Sequence, residues 1–173
     1  VVAARMAKFS PEGCADVIER GDVRNVFFPP TALRMLKAAD MALPGLRSVA
    51  SGGEPLGAEM LNWGRTAFGL DINEFYGQTE CNMVASSCGA DFPAKAGCIG
   101  KAVPGHGVGV IDATGQPTQD EGDVAVRRGS ASMMLGYWIR PDDTAAKFRG
   151  DWMITGDRGI WEGEYLRFVG RED

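Results

Sequence analysis

At 173 residues the chain is long enough for one domain or two small ones, and its 45% hydrophobic and 24% charged residues are ordinary for a soluble globular protein. A net charge of −5 and the lack of a basic run argue against a nucleic-acid surface, and there is neither a bilayer-length apolar run nor a signal peptide. Cys14, Cys81, Cys88 and Cys98 form no CxxC pair and His106 is the only histidine, which argues against structural zinc and for four free thiols in a reducing cytoplasm. The chain opens without Met on Val1-Val2-Ala3-Ala4 and stops at Gly170-Arg171-Glu172-Asp173 after a strand-like stretch, so the expectation is a piece of a longer protein.

In chain order, Val1–Ala4 reads as a buried strand. Ser10-Pro11-Glu12 is a helix start: a capping hydroxyl, Pro in the first turn, and an acid at the positive helix end. That helix runs to Arg20 and stops at Gly21. A strand at 23–28 ends at Pro29-Pro30, and Thr31 caps a helix through about Ala39, with Leu33 and Leu36 inward. A strand at 46–50 leads into Ser51-Gly52-Gly53-Glu54-Pro55. A helix over 57–68 and a strand over 71–76 follow. This alternation predicts an α/β fold with a parallel βαβα layer, whose ligands bind beyond the carboxyl ends of the strands. Near Phe92-Pro93 the character changes. Short strands at 107–112, 122–127, 152–155 and 165–169, a turn at 112–115 and one helix at 141–148 predict a small β-rich, barrel-like subdomain. The expected division is 1–92 and 93–173.

Two runs carry chemistry at strand ends. Tyr76-Gly77-Gln78-Thr79-Glu80 offers a ring for stacking on a purine, a hydroxyl for a phosphate oxygen and a hard carboxylate oxygen suited to Mg²⁺. The bland alternative is a helix N-terminus capped by Thr79. Thr155-Gly156-Asp157 supplies a carboxylate for ribose hydroxyls, against the alternative of an Asp in a plain turn. Ser51–Pro55 reads either as a glycine loop that lets backbone approach a ligand or as an ordinary strand-to-helix turn. His106, between two glycines, reads as a turn residue. Met133-Met134-Leu135 with Tyr137-Trp138 reads as core packing.

The order of these motifs resembles the adenylate-forming, AMP-binding superfamily. It runs from Ser51–Leu56 through Asn73–Glu80, Glu121–Val124, Leu135–Trp138 and Trp152–Asp157 to Gly170–Asp173. The form Tyr-Gly-Gln-Thr-Glu, the upstream Phe27-Phe28-Pro29-Pro30-Thr31 and Gly150-Asp151-Trp152 before Thr-Gly-Asp look most like short- and medium-chain acyl-CoA synthetases. That resemblance implies a ligase using ATP, Mg²⁺ and coenzyme A. A small carboxylate becomes an acyl-adenylate and is then passed to the thiol. It further implies that Gly52, Gly53, Glu54, Pro55, Glu74, Phe75, Tyr76, Gly77 and Gln78 line the ATP/AMP site, with Tyr76 on adenine. Thr79 would contact the α-phosphate, Glu80 would hold Mg²⁺, Asp157 and Arg171 would meet the ribose, Gly77 would shape the acyl pocket, and Asp173 would be the hinge.

The family's phosphate loop and aromatic acyl-pocket motif would lie upstream of Val1, and its C-terminal lysine beyond Asp173, so the chain alone is expected to be inactive as a ligase. An aryl-CoA ligase, an amino-acid adenylation domain and a non-catalytic nucleotide-binding module are the alternatives. A sheet that has lost neighbours would favour non-native dimers.

Overall fold

The computed structural model describes residues 8–171. The expected strand at Val1–Ala4 and the expected hinge at Asp173 lie outside the described residues. Contacts divide the chain into two units, one of residues up to 74 with 88–96, the other of 75–87 with 97 onward. The sequence reading draws its boundary at 92/93; the contacts draw theirs inside the strand that carries Tyr76.

In the first unit, α1 (Pro11–Arg20) starts where Ser10 Oγ accepts the Gly13 N–H at 3.1 Å, with Pro at the head of the helix and Gly21 at its end, as those residue types favour. β1 (Asn25–Phe27) is shorter than expected. α2 (Pro30–Ala38) is capped at Pro29, not Thr31. Pro30 lacks an N–H and carries a fixed φ, so it opens a helix at no hydrogen-bonding cost and draws the start upstream. β2 (Ser48–Gly52) pairs in parallel with β1, Val26 opposite Val49. α3 (Gly57–Phe68) has the expected bounds, and β3 (Ile72–Gln78) begins in this unit. The core is a single cluster in which Leu33, Leu36, Val49 and Ile72 are fully buried, with Leu61 and Phe68 beside them. Helix period and strand period therefore bury the same core, the local consistency that specifies a fold.

In the second unit, β3 turns back into β4 (Asn82–Ser86), and β4 pairs with β5 (Lys101–Ala102); both pairings are antiparallel. The parallel layer of the sequence reading is found at β1 and β2, but β4 and β5 were not foreseen. Only Thr79, Glu80 and Cys81 separate β3 from β4, and a parallel neighbour needs a crossover of a dozen residues or more, so a hairpin is the available geometry. The unit continues with β6 (Val108–Ile111), β7 (Gly122–Arg127), α4 (Pro141–Ala146), β8 (Phe148–Arg149), β9 (Trp152–Glu162) and β10 (Tyr165–Arg171). These strands form an antiparallel sheet ordered β10-β9-β7-β6, with β8 on β9, curled into a half barrel. α4 is shorter than the expected 141–148 because Phe148 and Arg149 leave it to pair with Met153 and Trp152. Asp112 Oδ1 closes its turn by accepting from Thr114 N at 2.8 Å and Gln116 N at 3.0 Å.

The β-rich core is built from Val110, Val124, Val126, Met153 and Leu166, all but fully buried. Asp123 is also buried. Arg149 at 2.6 Å and Arg158 at 3.1 Å satisfy its charge, the condition under which a carboxylate is tolerated inside a protein. One core expectation is corrected. Met133 and Met134 pack against the core, whereas Leu135 (105%) and Trp138 (88%) are exposed. The loop that carries them is held by polar contacts described below. Leu33→Ala is expected to lower the unfolding free energy by about 2–5 kcal/mol, whereas Leu135→Ala is expected to change it by less than about 0.5 kcal/mol; urea unfolding of the two variants checks both.

Candidate nucleotide site

The alternation of β9 decides what faces inward. Met153, Thr155, Asp157 and Gly159 share the buried face, so a hydroxyl and a carboxylate stand where apolar side chains would ordinarily be. Each has a partner. Thr155 Oγ1 donates to Val124 O at 2.7 Å and accepts Asp157 N–H at 3.1 Å. Tyr76 Oη donates to Asp157 Oδ2 at 2.5 Å, and Arg171 Nε lies 3.3 Å from Asp157 Oδ1. Gln78 Nε2 donates to Thr155 O at 3.1 Å. Two side chains of β3, two residues apart, thus tie onto two residues of β9 that are also two apart. Burial and the Asp157 hydrogen bond push the Tyr76 hydroxyl well above its ordinary range, so it stays a donor. Its half-buried ring packs against both apolar clusters of this unit.

A β-bulge makes the Arg171 contact. In the β9–β10 ladder Phe168 faces Gly159 and Gly170 faces Arg158, so Val169 is the extra residue and Arg171 comes opposite Asp157. A second irregularity lies at Gly77. The register jumps from Tyr76↔Ala85 to Gly77↔Met83, leaving Val84 over. A Cβ at Gly77 would lie 1.7 Å from Asn82 O, inside the backbone of the returning strand. The glycine is demanded by the hairpin itself, before any question of an acyl group arises.

The hairpin turn presents Thr79 and Glu80, with Cys81 N donating to Gln78 O at 3.1 Å. Thr79 is exposed and Glu80 half-buried. The turn is not the helix N-terminus weighed as an alternative. Glu80 Oε1 accepts the Tyr137 hydroxyl at 2.6 Å, which is the main reason its carboxyl lies below the usual range and stays ionised. The same bond moves Tyr137 up to about 12. Among the described residues no group of three or more His, Cys, Asp and Glu could hold a metal ion. Mg²⁺ does not require one where phosphates supply oxygens: one or two carboxylates suffice, and an ionised, partly exposed Glu80 meets that demand.

The remaining candidates lie in the first unit. β2 ends at Gly52, and Gly53 (φ 102°) takes a conformation that side chains disfavour. Glu54 is exposed and pairs with Arg34 at 3.3 Å. Pro55 leads to Leu56, whose N–H reaches Glu74 Oε1 at 3.4 Å. Glu74 is buried, and desolvation pushes its carboxyl from 4.5 to about 7 against the opposing pull of that N–H. Phe75, the next residue, belongs to the second unit and pairs with Ser86.

Sequence pattern discloses neither the burial of Ser51 nor the polar contact of Tyr137. Ser51 is fully buried at the end of β2 and its Oγ has no hydrogen-bond partner. An orphan hydroxyl there is invisible to pattern. Tyr137 was read as packing, because an aromatic beside Trp138 and Met134 looks apolar from sequence alone. His106, expected in a turn, donates its N–H to Val103 O at 3.0 Å. None of the four cysteines is in a disulfide, and Cys88 is exposed.

Glu74 makes stability pH-dependent in a definite sense. Its folded pKa is raised, so the native state holds a proton that the unfolded state has lost between pH 4.5 and about 7. Stability from this group is full below 4.5 and falls as pH rises through 7, by up to about 3 kcal/mol. Glu74→Gln should flatten that part of the stability–pH curve and be the more stable form at pH 8; chemical unfolding from pH 4.5 to 8 checks it. Asp157→Asn leaves Tyr76 Oη and Arg171 facing a neutral amide and should cost about 1–3 kcal/mol by the same assay.

Three comparisons with known proteins bear on the family. The family model described as AMP-binding enzyme matches residues 1–138. The chain is 36% identical over 183 residues to human acyl-coenzyme A synthetase ACSM4, mitochondrial, covering 100% of this chain and 31% of that protein. It is 35% identical over 179 residues to acetyl-coenzyme A synthetase of Bacillus subtilis (strain 168), covering 96% and 31%. The crystal structure of Brucella canis acyl-CoA synthetase superposes with a TM-score of 0.84 at 32% identity, over 96% of this chain and 32% of that one. ATP-bound MatB from Rhodopseudomonas palustris superposes with a TM-score of 0.82 at 29% identity, over 96% and 34%. The chain therefore spans about a third of the length of the relatives it matches, and it belongs to the AMP-binding enzyme family, the adenylate-forming group that includes the acyl-CoA synthetases.

Proposed function

We propose that the protein to which this chain belongs is an ATP-dependent acid–thiol ligase acting on a short- or medium-chain aliphatic carboxylate. In the first step the carboxylate oxygen attacks the α-phosphorus of ATP, the bond to the β-phosphate oxygen breaks, and acyl-AMP and pyrophosphate form. In the second, the sulfur of coenzyme A attacks the acyl carbon, the carbon–oxygen bond to AMP breaks, and the thiol proton is released. The observation that carries the reading is the doubly partnered Asp157. A carboxylate held buried by Tyr76 and Arg171 is a fixed acceptor, suited to a diol such as the ribose.

Roles follow residue by residue. Tyr76 gives its ring to adenine, Asp157 and Arg171 take the ribose, and Gln78 keeps the Thr155 strand end in register with the hairpin. Thr79, exposed at the turn, donates to the α-phosphate. Glu80 holds Mg²⁺, which when bound offsets negative charge on the phosphates. Gly52, Gly53, Glu54, Pro55, Glu74 and Phe75 are assigned to nucleotide binding on the family resemblance of their motifs. Gly77 borders the acyl group. A reducing cytoplasm suits the four free thiols. No described helix is long and apolar enough to cross a membrane.

The test is ATP–pyrophosphate exchange by the longest natural chain containing these residues, with acetate, butyrate, octanoate, benzoate and pooled amino acids. Exchange with one aliphatic acid, lost by roughly 10²-fold or more in Glu80→Gln, is the expected result. Exchange with benzoate or an amino acid alone moves the protein to a sister activity, and none with any acid favours a non-catalytic nucleotide-binding module. Residues 1–173 alone are expected to form no acyl-CoA, measured by product chromatography.

A further inference from the structure

The segment from Arg128 to Arg140, between β7 and α4, folds over the Thr79–Cys81 turn, with Met133 and Met134 packed against the core but the tip beyond them held by polar contacts. Leu135, Trp138 and Ile139 are exposed, so burial of those side chains does not fix its course. Three hydrogen bonds do. Met134 N donates to Glu80 O at 2.7 Å, Ser132 Oγ donates to Cys81 O, and Tyr137 Oη donates to Glu80 Oε1 at 2.6 Å. Two of the three hold the backbone of the turn and the third holds its carboxylate. Tyr137 is itself secured, because its N–H reaches Thr144 Oγ1 at 2.9 Å while Thr144 Oγ1 donates to Arg140 O at 2.9 Å. The chain is thus anchored on both sides of the tyrosine, at the turn through Met134 and at the head of α4 through Thr144.

We propose that Tyr137 is a positioning residue for Glu80: its hydroxyl occupies Oε1 and fixes the rotamer, so that Oε2 is left aimed for a divalent cation carried by the nucleotide phosphates. The inference rests on the reading of Glu80 as the cation ligand. An unheld glutamate in an exposed turn samples several rotamers and loses that freedom on binding, a cost that a preformed hydrogen bond removes in advance. The ring of Tyr137 is not needed for this, only its hydroxyl. The role therefore differs from packing and from contact with substrate.

The experiment is calorimetric binding of ATP to the longest natural chain, with Mg²⁺ and with the cation chelated, for wild type, Tyr137→Phe, Glu80→Gln and the double variant. The expected result is that Tyr137→Phe weakens the Mg²⁺-dependent gain in ATP affinity by roughly tenfold, as loss of a hydrogen bond to a charged group would, and leaves Mg²⁺-free ATP affinity unchanged. In the Glu80→Gln background Tyr137→Phe should have no further effect, since it acts only through that carboxylate. If Glu80→Gln removes the Mg²⁺ gain and Tyr137→Phe does not alter it, Tyr137 has no positioning role and the assignment of Glu80 stands. If Tyr137→Phe weakens metal-free binding equally, or acts in the Glu80→Gln background, its role is structural and the proposal is overturned. If Glu80→Gln itself leaves the Mg²⁺ gain intact, the assignment of Glu80 fails and takes the proposal with it.

Discussion

The second unit depends on how one buried carboxylate is satisfied. Asp157 sits on the inward face of β9, where an unpaired charge would be costly. Its two oxygens are met by a phenol from β3 and a guanidinium from β10. Those contacts dictate much around them. The hairpin must turn tightly enough to carry Tyr76 and Gln78 along one line, which requires a glycine at 77. With Val169 in the chain, the edge strand must bulge there so that Arg171 arrives at the right place. Thr155 must face inward too, because it braces the Asp157 N–H and fastens the strand to Val124. A polar cluster of this kind is worth having only when complete, and it is complete within this unit.

Much of this was legible from residues. α1 announced itself through Ser10, Pro11 and Gly21, and α3 through its bounds at Gly57 and Phe68. Leu33 and Leu36 fell on the buried stripe that helical spacing assigned to them. Tyr76, Gln78 and Asp157 were named as site residues and stand hydrogen-bonded within one unit. What sequence could not show has physical reasons. β4 follows β3 after three residues and contains Asn82 and Ser86, so it lacks the long β-branched run that marks a strand. Thr31 looked like a cap, but Pro30 fits the first turn better. Leu135 and Trp138 are apolar by type yet exposed, because their loop is held by Met133 and Met134 in the core and by polar contacts to the Thr79–Cys81 turn.

Tyr137 and Ser51 illustrate the harder limit. A hydrogen bond between residues 57 positions apart leaves no periodic trace, and neither does a hydroxyl buried without a partner. Glu74 belongs with them. Its type suggests a surface residue, and only burial reveals a carboxyl that titrates near neutral pH. Side-chain networks are relations between distant positions, and single-chain reading sees positions one at a time.

The extra residue at Val169 gives β10 a parity that its composition does not disclose. Upstream of it the even-numbered positions lie on the same face as Leu166; downstream, Arg171 joins the face of Asp157. Length, rather than identity, is the information stored there. Lengthening the strand by one residue would bring Gly170 opposite Asp157 and send the guanidinium to the other face, whereas removing Val169 would leave Gly170 opposite Arg158 and Arg171 opposite Asp157 in an unbroken ladder. This edge therefore tolerates exchange of the side chain at 169, or loss of that residue, far better than it tolerates an insertion.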